Sequence, residues 1–319
     1  MIERNLNRET RSNLLDVGSN EFYCNKLESL QKEFLGTLTC VSISTYPKLR
    51  DTYSMLGTSI GVRAENILIT EGAESAIRLI LSTLKQEHNM LTVVEPTFGL
   101  AVVHGVNFLG SVDSTQYVFK DRFEIQDTLL NYIHDVVYIA SPDNLTGYTF
   151  NESQIYAILN RCKCLILDES YSKLDFIHNL TLHDKVYVIK SLSKYYGAPG
   201  LRVGYILASE ENIHKLSYLK PMCDCSSISG DYINFVVRNK GRFDDTINDL
   251  FSIKSSIDVC LRNYKVIPND NLFSVVQFDE SLTEKLDKFC KYRTFVCDGI
   301  SFIRISANEK FIEQWMRTV

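Results

Sequence analysis

The chain has 319 residues, 45% of them hydrophobic and 23% charged, with a formal charge of -5. A chain of this length buries a core without disulfide or metal staples, and its composition is that of a soluble globular protein of about two domains. No charge block resembles a nucleic-acid or membrane tail, so neither partner is expected, whereas small anions need only a local pocket.

The stretch from Met1 to Arg8 is polar and lacks the apolar region of a secretory signal. Residues 67–70 form a short apolar run ending at Glu71-Gly72. From Ala73 the apolar positions Ala76, Ile77, Ile80, Leu81 and Leu84 recur at helical spacing. Residues 91–94 read as a strand closed by Glu95-Pro96, and strands are also expected at 136–140, 164–167, 186–189 and 202–208. Several are apolar on both faces, the pattern of a largely parallel sheet covered by helices on both sides. Runs such as 136–140 have strand length and are too short to span a bilayer.

After about residue 210 the texture changes. Residues 221–229 are rich in Cys, Ser and Asp, and a polar helical stretch at 231–261 is expected to break near Gly241. A strand at 272–278, a helix at 282–290, strands at 294–296 and 302–305 and a closing helix at 311–316 complete a smaller α+β domain. The expected division is an N-terminal arm at 1–30, a large domain at 31–215 and a small domain at 216–319. Nine cysteines include the pairs Cys162/Cys164 and Cys223/Cys225, but neither has the second pair a zinc site needs. Six scattered histidines form no H-E-x-x-H pattern. The expectation is a cytoplasmic, metal-free protein with free thiols.

Chemistry concentrates beyond the carboxyl ends of the strands, where open α/β sheets bind ligands. Asp168-Glu169-Ser170-Tyr171 follows one apolar strand, and Ser191-Leu192-Ser193-Lys194 follows the next. Gly197 and the Ala198-Pro199-Gly200 turn lead to Arg202. Ser141-Pro142-Asp143-Asn144-Leu145-Thr146-Gly147 also follows a strand, and Glu71-Gly72-Ala73 opens a helix whose free amides suit a phosphate. Each piece alone has a bland reading: a helix cap, a solvent-facing lysine, a tight turn. Together they supply an amine, a carboxylate, a phenol, hydroxyls, a guanidinium and free amides. That inventory suits a phosphorylated cofactor with a carbonyl for the amine and a basic ring nitrogen for the acid.

The ordered set resembles the fold-type I enzymes that use pyridoxal 5′-phosphate, and among them the class I/II aminotransferases around histidinol-phosphate aminotransferase. The resemblance runs from Asn20-Glu21 through Tyr46-Pro47 to Arg304-Ile305-Ser306. Its most specific piece is the run from Ser191 to Tyr205, joined to Asp168-x-x-Tyr171 and Asn144-x-Thr146-Gly147. The resemblance implies that Lys194 forms the aldimine with the cofactor and moves the substrate Cα proton. It implies that Asp168 faces the pyridine nitrogen, that Asn144 and Tyr171 bond the phenolic oxygen, and that Phe98 stacks on the ring. Ser191, Ser193, Arg202 and the Gly72 and Ala73 amides would hold the phosphate. Tyr46 would reach a phosphate in a neighbouring subunit, implying a homodimer with shared sites. Arg304 would grip the substrate carboxylate, with Asn20 beside it.

The implied activity is amino transfer between an amino acid, glutamate with 2-oxoglutarate, and a small oxo or phosphorylated carbonyl compound. The alternative is a decarboxylase of a phosphorylated amino acid, resembling threonine-phosphate decarboxylase. The chain departs from the family pattern in four places. Leu145 stands where relatives carry proline, Asp143 where asparagine is usual, and Ser170 where alanine is common. Cys297 replaces a frequent arginine, and the connection from Cys297 to Arg304 is short.

Overall fold

The computed structural model describes residues 14–176 and 179–318, so residues 1–13 of the expected arm lie outside the described residues. A short strand β1 (Leu15–Asp16) precedes the large sheet. That sheet comprises β2 (Ile67–Thr70), β3 (Met90–Glu95), β4 (Ser111–Phe119), β5 (Phe123–Ile125), β6 (His134–Ala140), β7 (Cys162–Asp168), β8 (Val186–Ser191) and β9 (Gly204–Leu207). Their spatial order is β2-β9-β8-β7-β6-β3-β4-β5. The strands from β8 to β4 in that order are parallel, while β9 runs against both β2 and β8.

Alternate residues of these strands feed two cores. Val137, Ile139, Leu165, Leu167, Val186 and Val188 enter one, and Val136, Tyr138, Cys164, Ile166, Tyr187 and Ile189 enter the other. This is the period-two consequence of a sheet buried on both faces. The second core is closed by the helix Gly72–Leu84, which buries Ala76, Ile77, Ile80 and Leu81. The smaller sheet holds β10 (Val266–Ile267), β11 (Phe273–Gln277), β13 (Arg293–Cys297) and β14 (Ile300–Ser306), all antiparallel in the order β10-β11-β14-β13. Strand β12 (Cys290–Lys291) pairs in parallel with β1.

The structure differs from the sequence expectation along the large sheet and refines it elsewhere. Strand β4 is the next-to-last strand, paired with β5 only over its last three residues; it is rich in Ser, Asp, Thr and Gln and largely exposed along its first half, so its apolar signal is weak. Arg202 lies outside the strand expected to begin with it: its φ of 51° is left-handed, and the strand starts at Gly204. The break expected near Gly241 lies at Asn239, between the helices Ser227–Arg238 and Lys240–Cys260. In the adjoining strands Ala140 pairs with Asp168, and Asp168 with Ile189. Segments 141–147, 169–171 and 192–197 therefore emerge along one edge of the sheet.

Candidate active site

Three hydrogen-bonded groups form at that edge. The first surrounds Asp168, the last residue of β7, which is 6% exposed. Its Oδ1 accepts from the Ser170 amide at 2.9 Å and the Ser170 hydroxyl at 2.6 Å, and its Oδ2 accepts from the Tyr138 phenol at 2.8 Å. Burial pushes the Asp168 carboxyl above its ordinary range, against the hydrogen bonds that favour the charged form. A cationic partner would relieve that penalty. Ser170 is thus more than a small residue in place of alanine, because its hydroxyl is a donor to the carboxylate.

The second group gathers distant parts of the chain. Asn20, 2% exposed and in a left-handed conformation with φ 54°, donates from Nδ2 to the Tyr171 phenol at 2.7 Å and to the Asn144 carbonyl at 3.3 Å. Its own carbonyl accepts from Lys194 Nζ at 3.3 Å, and its Oδ1 accepts from Ser306 at 3.0 Å. The Lys194 amine also lies 5.5 Å from the centre of the Tyr171 ring. Arg304, on β14, donates to the Asn144 carbonyl at 2.6 Å and to the Gly18 carbonyl. A Cβ on Gly18 would lie 2.8 Å from the Tyr292 backbone, so only glycine brings that carbonyl to Arg304.

Arg304 is 5% exposed, and no carboxylate among the described residues pairs with it. Its Nε has no partner. Burial holds the guanidinium below its ordinary value, and the cross-strand Arg293 pushes the same way. A buried cation without a counter-charge is costly unless a ligand supplies one.

The third group is a cradle at the start of the helix Gly72–Leu84. Gly72 has φ 84°, and a Cβ there would lie 2.9 Å from Arg202 Nη2. The missing side chain lets the guanidinium rest against the helix terminus, where free amides and a helix dipole favour an anion. Ser191 and Ser193 are both buried, and the Ser191 hydroxyl accepts from the Ser193 amide at 3.1 Å. The lysine turn is braced by the helix Asn25–Thr37, whose Gln31 donates to the Gly197 carbonyl at 2.7 Å.

The structure thus brings Asn20, Asn144, Tyr171, Lys194 and Arg304 into one network and sets Gly72 against Arg202. Phe98 and Ala73 are half-buried at the rim of the second core. Tyr46 is 78% exposed and makes no contact with this network. The turn at Asn144 is held without the proline of relatives, because Asp143 Oδ1 accepts from the Leu145 amide, the Thr146 amide and the Thr146 hydroxyl at 2.9, 2.7 and 2.8 Å. Two departures from the family pattern therefore compensate one another. Cys297 is buried and donates towards the Tyr117 carbonyl at 3.7 Å, so it faces β4. The short connection is a two-residue turn, Asp298-Gly299, with φ of 50° and 72°.

Sequence reasoning missed Tyr138 and Gly18. Tyr138 carried a signal, a phenol among aliphatic residues two positions before the end of β6; Gly18 carried none. The residues present fit pyridoxal phosphate. The Gly72–Arg202 cradle suits its phosphate, the partner-hungry Asp168 its ring nitrogen, and the buried Asn144 Oδ1, which has no partner, marks unspent hydrogen-bonding capacity at the same edge. Among the described residues no group of three His, Cys, Asp or Glu residues has the arrangement to hold a metal ion.

The family model described as aminotransferase class I and II matches residues 24–230. The histidinol-phosphate aminotransferase of Pyrococcus furiosus is 26% identical over 212 residues, covering 63% of this chain and 60% of that protein. The chain thus matches less than two thirds of the length of that relative. A solved histidinol-phosphate aminotransferase from Sinorhizobium meliloti, in complex with pyridoxal-5′-phosphate, has a TM-score of 0.78 at 17% identity, covering 98% of this chain and 91% of that one. L-threonine-O-3-phosphate decarboxylase from Porphyromonas gingivalis has a TM-score of 0.74 at 17% identity, covering 96% and 98%. The fold is the fold-type I architecture these proteins share.

Proposed function

The chain belongs to the aminotransferase class I and II family, and from that premise we propose that it is a pyridoxal 5′-phosphate-dependent aminotransferase. It moves an amino group between an amino acid, glutamate with 2-oxoglutarate, and a small oxo or phosphorylated carbonyl compound. One observation carries this reading: the buried, unneutralised Arg304 shares the Asn144 carbonyl with Asn20, which also binds Lys194 and Tyr171. A site that pairs an amine with a cation awaiting a carboxylate is suited to amino acids.

When bound, pyridoxal phosphate supplies an electrophilic carbonyl and an electron-withdrawing ring. The chain's own residues do the rest. Gly72, Ala73, Ser191, Ser193 and Arg202 hold the phosphate, and Phe98 covers the ring. Asp168 keeps the ring nitrogen protonated, and Asn144 and Tyr171 bond the phenolic oxygen. Arg304 and Asn20 orient the amino acid by its carboxylate. Lys194, once its amine is neutral, takes the proton from Cα and returns it during transfer.

The exposed Tyr46, with Val41 and Ile43 at 63% and 77% exposure, supports a homodimer in which this segment meets a second copy. All nine cysteines are free, which supports a reducing, cytoplasmic setting. No helix among the described residues is long and apolar enough to cross a membrane.

The test is absorbance titration of the holoenzyme. Glutamate should convert the bound cofactor to its amine form and 2-oxoglutarate should restore it, and Lys194→Ala should abolish both changes. A purified Lys194→Ala that still turns over sinks the assignment. The likeness to the Porphyromonas gingivalis decarboxylase supports a second reading, decarboxylation of a phosphorylated amino acid. Steady release of carbon dioxide without consumption of an oxo acid selects it.

A further inference from the structure

A lysine in the apolar run Val186-Tyr187-Val188-Ile189-Lys190 belongs, by composition, at an exposed edge. Lys190 is instead 1% exposed, and so is Glu169. The Lys190 ammonium lies 2.5 Å from Glu169 Oε2. It donates to the Ser172 hydroxyl at 2.8 Å and to the carbonyls of Phe176 at 2.5 Å and Lys173 at 3.3 Å. The same ammonium sits 5.4 Å from the centre of the Phe176 ring. One side chain of β8 therefore gathers residues 169–176, the first part of the segment that follows β7.

The placement relative to the site is specific. Lys190 shares the sheet face of Val186 and Val188, whereas Asp168 meets Tyr138 on the other face. Asp168 and Glu169 are thus consecutive residues held to opposite sides of the sheet, each by its own partner. Tyr171 lies between Glu169 and Ser172, both of which Lys190 holds. Stability alone does not explain such a pair, because two apolar side chains of similar volume commonly serve as well or better.

We propose that Lys190 is a positioning residue for the cofactor site: by neutralising Glu169 and gathering the chain from Ser172 to Phe176, it holds Asp168 and Tyr171 in their settings towards the ring nitrogen and phenolic oxygen of the cofactor. The proposal rests on the pyridoxal phosphate reading above. Charge adds to geometry. Asp168 is pushed up chiefly by burial and in smaller part by the Glu169 carboxylate, whose charge the Lys190 ammonium opposes at 2.5 Å.

The experiment compares Lys190→Met, Lys190→Arg and the double variant Lys190→Met/Glu169→Met as purified protein. It reads cofactor affinity, the pH midpoint of the bound cofactor's visible band, and hydrogen-exchange protection of amides 170–176. Lys190→Met should bind cofactor about tenfold more weakly, shift the midpoint and lose protection. Lys190→Arg, which keeps the charge and the donors, should restore all three. The double variant should melt at or above the parental temperature yet still show the shifted midpoint, which a merely structural pair would not produce. Parental affinity and midpoint in either methionine variant overturn the proposal. Should neither accumulate as folded protein, Ser172→Ala removes one acceptor and carries the same test: a midpoint shifted in the same direction supports the proposal, and an unchanged one overturns it. Absence of any visible cofactor band in the unaltered protein would instead overturn the cofactor reading itself.

Discussion

The Tyr138 phenol donates to Asp168 Oδ2 at 2.8 Å across neighbouring strands of the large sheet. The bond favours the carboxylate form of an acid that burial pushes towards neutrality. Tyr138→Phe removes that support and raises the Asp168 pKa further. Because the pKa is raised, the ionised form is lost from the acid side, so the acid limb of cofactor binding should move to higher pH. Binding at the parental acid limb should weaken by roughly tenfold, a charge-assisted bond being worth about 1.5–3 kcal/mol. Absorbance titration of apoprotein with pyridoxal phosphate at several pH values checks this, and an unmoved acid limb contradicts it.

Gly72→Ala places a methyl group 2.9 Å from Arg202 Nη2 in a backbone of φ 84°. The strain should cost on the order of 1 kcal/mol of stability. Displacement of the guanidinium should weaken binding of cofactor more than binding of its dephosphorylated analogue. Paired titrations with pyridoxal phosphate and pyridoxal separate the two effects.

Arg304→Lys keeps a positive charge but loses the planar fork that reaches the Gly18 and Asn144 carbonyls together. The KM for the amino donor should rise by roughly tenfold or more, with a smaller fall in kcat. An unchanged KM would remove Arg304 from substrate binding.

At the opposite edge of the sheet, Asp135 bonds His88 Nδ1 at 2.7 Å and the Asn89 amide at 2.9 Å, and lies 3.2 Å from Lys163 Nζ. Burial opposes its ionisation, but these partners outweigh burial and hold the carboxyl at about 2. A folded pKa below the unfolded value means stability that is fully present above about pH 4 and lost as pH falls through about 2. Asp135→Asn should therefore lower the melting temperature at neutral pH, with the deficit shrinking towards pH 2. Melts across that range check the sign.

The central strands were legible because their residues are apolar on both faces, and the residues after them because chemistry at strand ends is placed by topology. Lys194, Asp168 and Arg202 could be picked out from a short run of sequence. The strand Ser111–Phe119 was not legible, because its exposed half alternates no apolar signal. The supporting contacts were hidden for a different reason. Gly18 matters only because the Tyr292 backbone lies 2.8 Å from where its Cβ would be, and Ser170 gains its role from the direction of a hydroxyl. Neither property is written in local spacing. Leu145 stands where relatives carry proline, yet the neighbouring Asp143 carboxylate builds the turn that proline would have stiffened.

The polar links of the Asn20 network close very long loops. Asn20 bonds Tyr171 across 151 residues and Lys194 across 174, while Arg304 bonds Asn144 across 160 and Gly18 across 286. Contacts of such separation demand that both ends of the chain be in place before they form. A growing polypeptide that has not yet emitted Arg304 has a sheet edge but lacks the guanidinium proposed to grip a carboxylate. On the proposed function, ligand capture there is coupled to closure of the entire chain, so a rise in melting temperature on adding an amino acid should gauge completed folding rather than local order.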